Sequence, residues 1–489
     1  MSFKKVVTAK LSKLLLRIQS VGVKRLSLCL AIFFCALFII AGSLVSLNRY
    51  WQYESFYYDF GIFDQAIWRV AHFTPPIIDH LVVGGKWIFA DHFNPSIFLL
   101  SPLYWITDRR EILLFAQALI VGLSGFVLYL IAQKVIKNSF YSLAVLICYL
   151  LFIGLQNAVI TDLHEITLAT LPFMLAYLAI LNKKIKWYFL FLLITLGFKE
   201  SNFLLCFGIG ISIFFINRSW LKIAIITCGI SLLWGFISIH YIIPFFSGGI
   251  YQYGVNMTYN PIAIVGTLFD NKIKIHTLFY SFLSFGFLPL LSFQFWFLLF
   301  QDFLTRFYSP LWFTRWDLGL HYSSLTAAIM GVSSVYSIRL LQKIIPTRIL
   351  KIAIVLLILN AVFLYRFILH APFGLSYNPA LYTHTKDFKF LDSLITKIPI
   401  NATVMAQNNL AVRFTHQNVW TMESDANNLK PDYYVQKKPQ YVVLDLRPGQ
   451  NPNDLFLIKD SNVLLQELNA DHNYMLFYHA VDQYIFRRR

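Results

Sequence analysis

The 489-residue sequence is 57% hydrophobic and 17% aromatic, with 13% charged residues and a mean hydropathy of +0.60. Soluble chains carry about 25% charged residues, so a disordered chain, a secreted disulfide scaffold and an ordinary cytosolic enzyme are excluded and a multi-pass membrane protein is expected. The formal charge of +17 is no nucleic-acid signal: 29 Lys+Arg and 13 Asp+Glu lie in residues 1–370, against 12 and 11 in 371–489, so the excess belongs to the hydrophobic part, where loop charge orients helices.

The chain begins with a basic amphipathic stretch, Lys4, Lys5, Lys10, Lys13, Arg17, Lys24 and Arg25, followed by the apolar run 26–47. That run exceeds a signal-peptide core and is long enough to span a bilayer. It predicts an uncleaved first helix with a cytoplasmic N-terminus. Apolar runs predict ten more spans, at 111–132, 139–160, 166–181, 187–198, 201–216, 221–243, 277–291, 293–305, 321–341 and 349–369. The expected fold is thus an α-helical membrane protein of about eleven spans. Several runs fall short of about 20 residues, and pairs such as 187–216 also suit half-spans buried in protein. Residues 96–106 suit a re-entrant or interfacial segment. Basic residues at 134–137, 183–186, 218–222 and 339–351 would mark cytoplasmic loops. An odd span count then places the C-terminal region outside the cytoplasmic (inner) membrane. The five cysteines, 29, 35, 148, 206 and 228, lie in apolar runs without a CxxC pair and read as buried, inert thiols.

Residues 371–489 are more polar and are expected to form a separate domain from 1–370. Helices are predicted at 387–397 and 456–469. Strands are predicted at 402–406, 419–422 and 440–445, with edge strands at 474–478 and 483–486. The alternation predicts a small α/β domain with a largely parallel sheet. It has no Gly-rich phosphate loop.

The scarce charges inside the apolar background are the functional signal, because ionisable groups at membrane depth mark sites and pathways. Asp59 and Asp64 lie in the first external loop. On a helix they stand about 140° apart, so one can face a cavity while the other braces the helix. A carboxylate there suits a general base or a metal ligand, and equally a capped, solvated loop. Asp79-His80 and Asp91-His92 are two Asp-His pairs that suit anion or metal binding, or a polar loop before Pro95. Asp162, His164 and Glu165 lie between two spans. Lys199-Glu200 suits a phosphate-binding lysine with its carboxylate, or a snorkelling pair. Arg306, Arg315, Asp317, His321 and Tyr322 precede a span; the arginines suit phosphate, and the neighbouring tryptophans an interfacial belt. On this map all five clusters meet one face of the membrane, which favours a shared substrate-binding site there. No cofactor is required by the pattern; a divalent metal is a candidate, with no ligand set fixed.

The runs YYDFGIFDQAIW, FADHFNPSIFLLSPLYWI, DLHEITLATLP, FKES and LGLHYSSL, with ATVMAQNNLAVRFTHQNVW and PQYVVLDL near the C-terminus, resemble a bacterial membrane-protein family catalogued as a domain of unknown function. That family is similar to the type C glycosyltransferases, multi-spanning enzymes that use polyprenyl-phosphate-linked sugars. The resemblance implies a membrane-embedded enzyme with a lipid-linked sugar donor and an acceptor of unspecified kind, with membrane lipid and no nucleic acid as its surroundings. It implies an acidic catalytic residue in the first external loop. Asp59 matches that position, with Asp64 as its neighbour. Ser201 stands where the related pattern has a further acidic residue. Two other readings of the chain are a transporter or flippase of lipid-linked or anionic substrates, and a non-catalytic scaffold.

Overall fold

A computed structural model describes residues 3–78, 87–249, 251–254, 260–374, 388–422, 433–447 and 458–489. Helices of eight residues or more are numbered below in chain order. Helix α1 (Phe3–Trp51) carries the first apolar span, and α2 (Ile62–Ala71) lies beyond it. Then follow α3 (Glu111–Ile136), α4 (Ser139–Leu151), α5 (Ile153–Ile160), α6 (Thr170–Leu181), α7 (Ile185–Leu196), α8 (Asn202–Ile216) and α9 (Leu221–Ile237). The second half adds α10 (Lys272–Ser284), α11 (Trp296–Phe307), α12 (Ser324–Ile344) and α13 (Thr347–Phe363), and the C-terminal region α14 (Phe388–Ile395) and α15 (Ile458–Ala470).

The expectation of eleven spans is overturned. Among the described residues five helical segments are long and apolar enough to cross a membrane: Gly22–Trp51, Glu111–Ile136, Arg218–Ser247, His321–Ile344 and Thr347–Ile368. The pair α4 and α5, bent by 49° at Phe152, would make a sixth. Gln156 donates to the Leu150 carbonyl across this break (2.9 Å), which satisfies a group the bend releases. The remaining runs fail for a geometric reason. The segment Glu165–Leu181 and helices α7 and α8 are apolar but short. At about 1.5 Å per residue each is under the ~30 Å of a hydrocarbon core. The run 277–291 is broken at Gly286 and Phe287, both with left-handed φ of 57°. The run 293–305 yields only the 12-residue α11. Residues 95–105 wind as a 3₁₀ helix containing Pro102.

Two glycines let the short helices pack closely. A Cβ on Gly208 of α8 would meet the Leu298 side chain of α11 at 2.6 Å, and one on Gly235 of α9 would meet the Phe203 ring of α8 at 2.5 Å. Helix α8 is thereby wedged between α9 and α11. Gly235→Leu is expected to lower thermal stability by about 1–3 kcal/mol through overpacking, measurable by unfolding of the purified protein in detergent.

The C-terminal region holds one five-stranded sheet: β1 (Val404–Ala406), β2 (Val419–Thr421), β3 (Tyr441–Asp445), β4 (Tyr474–Ala480) and β5 (Gln483–Arg488), in the order β2-β1-β3-β5-β4. Strand β1 runs parallel to β2 and β3, but β5 is antiparallel to both β3 and β4. The sheet is therefore mixed, not largely parallel, and β5 is an inner strand. The cause is local: only Val481 and Asp482 separate β4 from β5, and Val481 has φ of 54°. A connection this short can only return the chain antiparallel.

The sheet region is clasped to the helical part. The Arg413 guanidinium lies over the rings of Tyr50 (3.8 Å) and Tyr53 (4.2 Å), and it donates to the Tyr50 carbonyl (2.6 Å). Arg69 reaches the Asn418 side chain (3.2 Å), and Gln65 the Gln417 carbonyl (3.2 Å).

Candidate functional site

The segment after α1 cannot continue as α-helix and makes a single π-helical turn, Tyr57–Gly61. Two side chains from distant parts of the chain hold it. Asp162 Oδ2 accepts from Phe56 N (3.0 Å), and Asn408 Oδ1 from Tyr58 N (3.1 Å). Between these anchors Asp59 stays 44% exposed and faces His164 Nε2 at 3.3 Å.

His164 is fixed on every side. Its backbone N–H donates to Gln117 Oε1 (2.9 Å), and Nδ1 meets the Thr161 carbonyl at 2.8 Å. A carbonyl only accepts, so Nδ1 carries the proton, and Nε2 is the nitrogen offered to Asp59. Burial works against the imidazolium, but the Asp59 carboxylate outweighs it and raises the His164 pKa. The His321 ring stacks on that of His164 with centroids 3.4 Å apart, and Tyr322 follows at 3.9 Å from His321.

The next residue, Glu165, continues the network. Its Oε1 accepts from Lys199 Nζ (2.7 Å), while its buried Oε2 has no hydrogen-bond partner. Glu200 is buried beside it, with His92 Nδ1 at 3.0 Å, the Tyr251 hydroxyl at 3.2 Å and the Phe93 N–H at 3.2 Å. Burial pushes the Glu200 pKa up, but His92 and Lys199 outweigh it and hold the carboxyl at about 2. Tyr253 stacks on His92 (4.3 Å) and donates to Asp91 (2.6 Å). The Arg315 guanidinium lies 5.9 Å from the Tyr253 ring and 5.6 Å from that of Tyr322. His92, Lys199, Glu200, Tyr251, Tyr253 and Arg315 line a cavity of about 450 Å³, with apolar side chains such as Phe203, Ile239, Phe297 and Leu304 and the polar Gln301, Thr305, Tyr308 and Ser309 in the same lining.

The sequence candidates thus sort by place. Asp59, Asp91, His92, His164, Glu165, Lys199, Glu200, Arg315, His321 and Tyr322 lie in one connected group. Asp162 stands behind it as an anchor for the Asp59 turn. Arg306 stands apart: it is buried, and its donors serve the Arg315 and Asp317 carbonyls (3.0 and 2.8 Å) and Thr326 (3.1 Å). It ties down the 306–317 loop. Asp64 is fully buried and faces the sheet region. Tyr104 and Thr415 donate to it, with His416 at 3.3 Å and Arg110 at 3.5 Å. His80 lies outside the described residues. Among the described residues no three His, Cys, Asp or Glu side chains are grouped to hold a metal ion.

Several contributors were missed in the sequence. Tyr251 and Tyr253 sit in a short polar stretch with no charge to draw notice. Arg110, Thr415 and His416 are ordinary residues whose partner is far away in the chain. Gln117 alone left a signal, as an amide inside the apolar α3.

Burial, with the Asp59 charge adding to it against Arg49, raises the Asp162 pKa to about 6. A raised acid binds its proton more tightly when folded, so this group makes stability fall as pH rises from about 4 to 6. Unfolding midpoints measured across that range should show the slope, and Asp162→Asn, which still accepts from Phe56 N, should remove it.

The helices and site define a multi-pass membrane protein in which the Asp59 turn adjoins a small α/β region. More particularly, the chain belongs to the predicted membrane protein family DUF2079, whose profile matches residues 49–483. No curated protein matches the chain.

Proposed function

We propose that this chain is a membrane glycosyltransferase that moves a sugar from a polyprenyl-phosphate donor to an acceptor on the outer side of the cytoplasmic membrane. The observation that carries the reading is the continuity of the network. A half-exposed carboxylate, Asp59, connects through His164 and Glu165 to Lys199 and the cavity it shares with Arg315. Acyl and glycosyl transfer both need a base near a stabilised leaving group. Here Asp59 accepts the proton of the acceptor hydroxyl as its oxygen attacks the anomeric carbon. The bond from that carbon to the phosphate oxygen breaks, and Lys199 and Arg315 balance the charge left on the phosphate. A single displacement inverts the anomeric configuration. His164 positions Asp59, and Asp64 braces the fold behind it.

The orientation is supported by charge. The turns that join α3 to α4, α6 to α7, α8 to α9 and α12 to α13, with the helix ends flanking them, carry Lys134, Lys137, Lys183, Lys184, Lys186, Arg218, Lys222, Lys343 and Arg348. These turns lie at the helix ends opposite the Asp59 turn, and the positive-inside rule makes them cytoplasmic. The short helices around the cavity also fit a transporter of the same lipid-linked substrate. The two readings separate in proteoliposomes loaded with polyprenyl-phosphate sugars labelled in the sugar. Release or transfer of the label with inverted configuration is expected. Movement of the intact lipid across the bilayer without cleavage would overturn the enzyme reading.

A further inference from the structure

A second cavity, of about 400 Å³, is lined by three membrane-crossing stretches and shares no residue with the first. Each stretch gives it one helical stripe. On α1 the lining runs from Phe34 through Leu37 to Ala41, and on α13 with its π-turn from Ile358 through Val362 to Tyr365. Steps of three and four residues keep one face of a helix turned the same way. Helix α4 packs against both α1 and α13 and supplies Ile147 and the buried Leu150. It is therefore the floor between two walls. Leu37 and Val362, one on each wall, are 52% and 44% exposed and mark the mouth. Leu37 falls at the middle of the apolar run 26–47, and Ile358 at the middle of Thr347–Ile368. The mouth thus opens near the bilayer midplane, into hydrocarbon.

One end of the groove is shut. The Phe373 ring stands edge-on to Phe38 with centroids 4.9 Å apart, and its N–H donates to Gln156 Oε1 (3.2 Å). Gly42 makes room for it, since a Cβ there would lie 2.9 Å from that ring. Gln156 spends its own N–H on the Leu150 carbonyl, so the lining amide has both ends engaged. No charged side chain is in the lining.

These features select the occupant. Each seven-residue stripe is about 10 Å long, and a helix of that length, about 10 Å across, would need roughly 800 Å³. A helix of a second copy is too large. An anionic head would find no cation here, and water no free partner on Gln156. An empty apolar groove of this size would forfeit the dispersion contacts of its walls. We infer that the cavity holds one acyl chain of a resident phospholipid, entering between Leu37 and Val362 and completing the packing of α13 on α1 and α4. Only 28% of the α13 span is buried in protein, so the chain supplies contacts that this helix lacks. The inference is independent of the proposed function.

The test counts phospholipids retained by the full-length protein after purification in mild detergent, by native mass spectrometry. Ala41→Phe and, separately, Ile358→Trp place a ring in the groove. Each is expected to lower the occupancy of one retained phospholipid by about fivefold or more against wild type. Leu233→Phe, on the exposed face of α9 (Leu233 is 58% exposed), should leave it unchanged. Removing lipid should lower the wild-type unfolding midpoint by several degrees, and Ala41→Phe should narrow that gap, because the ring replaces contacts of the chain. Unfolding in lipid nanodiscs checks that each variant is folded. Equal phospholipid counts in wild type and both filled variants would overturn the inference. So would an equal loss in Leu233→Phe, or a polyprenyl phosphate as the species that the filled variants lose.

Discussion

Asp59→Asn is expected to lower the sugar-transfer rate by about 10²–10⁴-fold, the usual contribution of a positioned general base. The amide is the same size as the carboxylate and still reaches His164, but it cannot take up the acceptor's proton. Because Asp59 is 44% exposed and does not anchor its own turn, stability should change by no more than about 0.5 kcal/mol. The loss should therefore appear in turnover while donor binding and the unfolding midpoint stay put. A wild-type rate in this variant would remove Asp59 from the mechanism. His164→Gln is a useful companion. If His164 only positions Asp59, its loss should be smaller than that of Asp59→Asn, and it should alter the pH profile of turnover.

Asp64→Ala should have the opposite character, a large loss of stability. Asp64 is fully buried, and its oxygens face Tyr104, Thr415, His416 and Arg110. Removing one member of a buried charged group leaves the others unpaired, which costs about 3–5 kcal/mol. Asp64→Asn should cost less, because the amide oxygen still accepts from Tyr104 or Thr415. Burial pushes the Asp64 pKa up, but His416, Arg110 and Thr415 outweigh it and hold it below the usual range. A lowered acid contributes stability that is present above its unfolded pKa and lost as pH falls through the folded one. Wild-type protein should thus lose stability below about pH 4, and Asp64→Ala should lack that component. The measurements are unfolding midpoints in detergent and the rate of proteolytic release of the sheet region. An unchanged midpoint in Asp64→Ala would show that the clasp contributes nothing.

The membrane character and the C-terminal α/β region were legible because both rest on local signals: sustained hydrophobicity, and short apolar strands such as Tyr441–Asp445. The number of spans was not. A run of 12 to 17 apolar residues looks alike in sequence whether it crosses a bilayer or turns back within the protein. Where each helix ends, as at the break at Gly286 and Phe287, decides between them. The sheet's direction was equally hidden, since it depends on the backbone of Val481. Within the site, charges in an apolar background pointed to Asp59, His164, Lys199 and Glu200. The same signal could not separate exposed Asp59 from buried Asp64, nor Arg315 at the cavity from Arg306, which serves backbone carbonyls. Those distinctions depend on partners such as Thr415 and Thr326, and spacing carries no information about them.

The contacts that fix the Asp59 turn also set an order of assembly. Tyr58 takes its partner from Asn408, 350 residues further on, and Asp64 takes Thr415, 351 residues further on. A ribosome adding about 5–20 residues per second makes the first helix tens of seconds before either partner exists. Throughout that interval the turn lacks half of its anchors, while the helical part is already inserting. The site is therefore completed late, by closure of loops of 350 and 351 residues. A nascent chain halted before Asn408 would carry the helices on which His164 and Lys199 stand, with the Asp59 turn still awaiting one of its two holds.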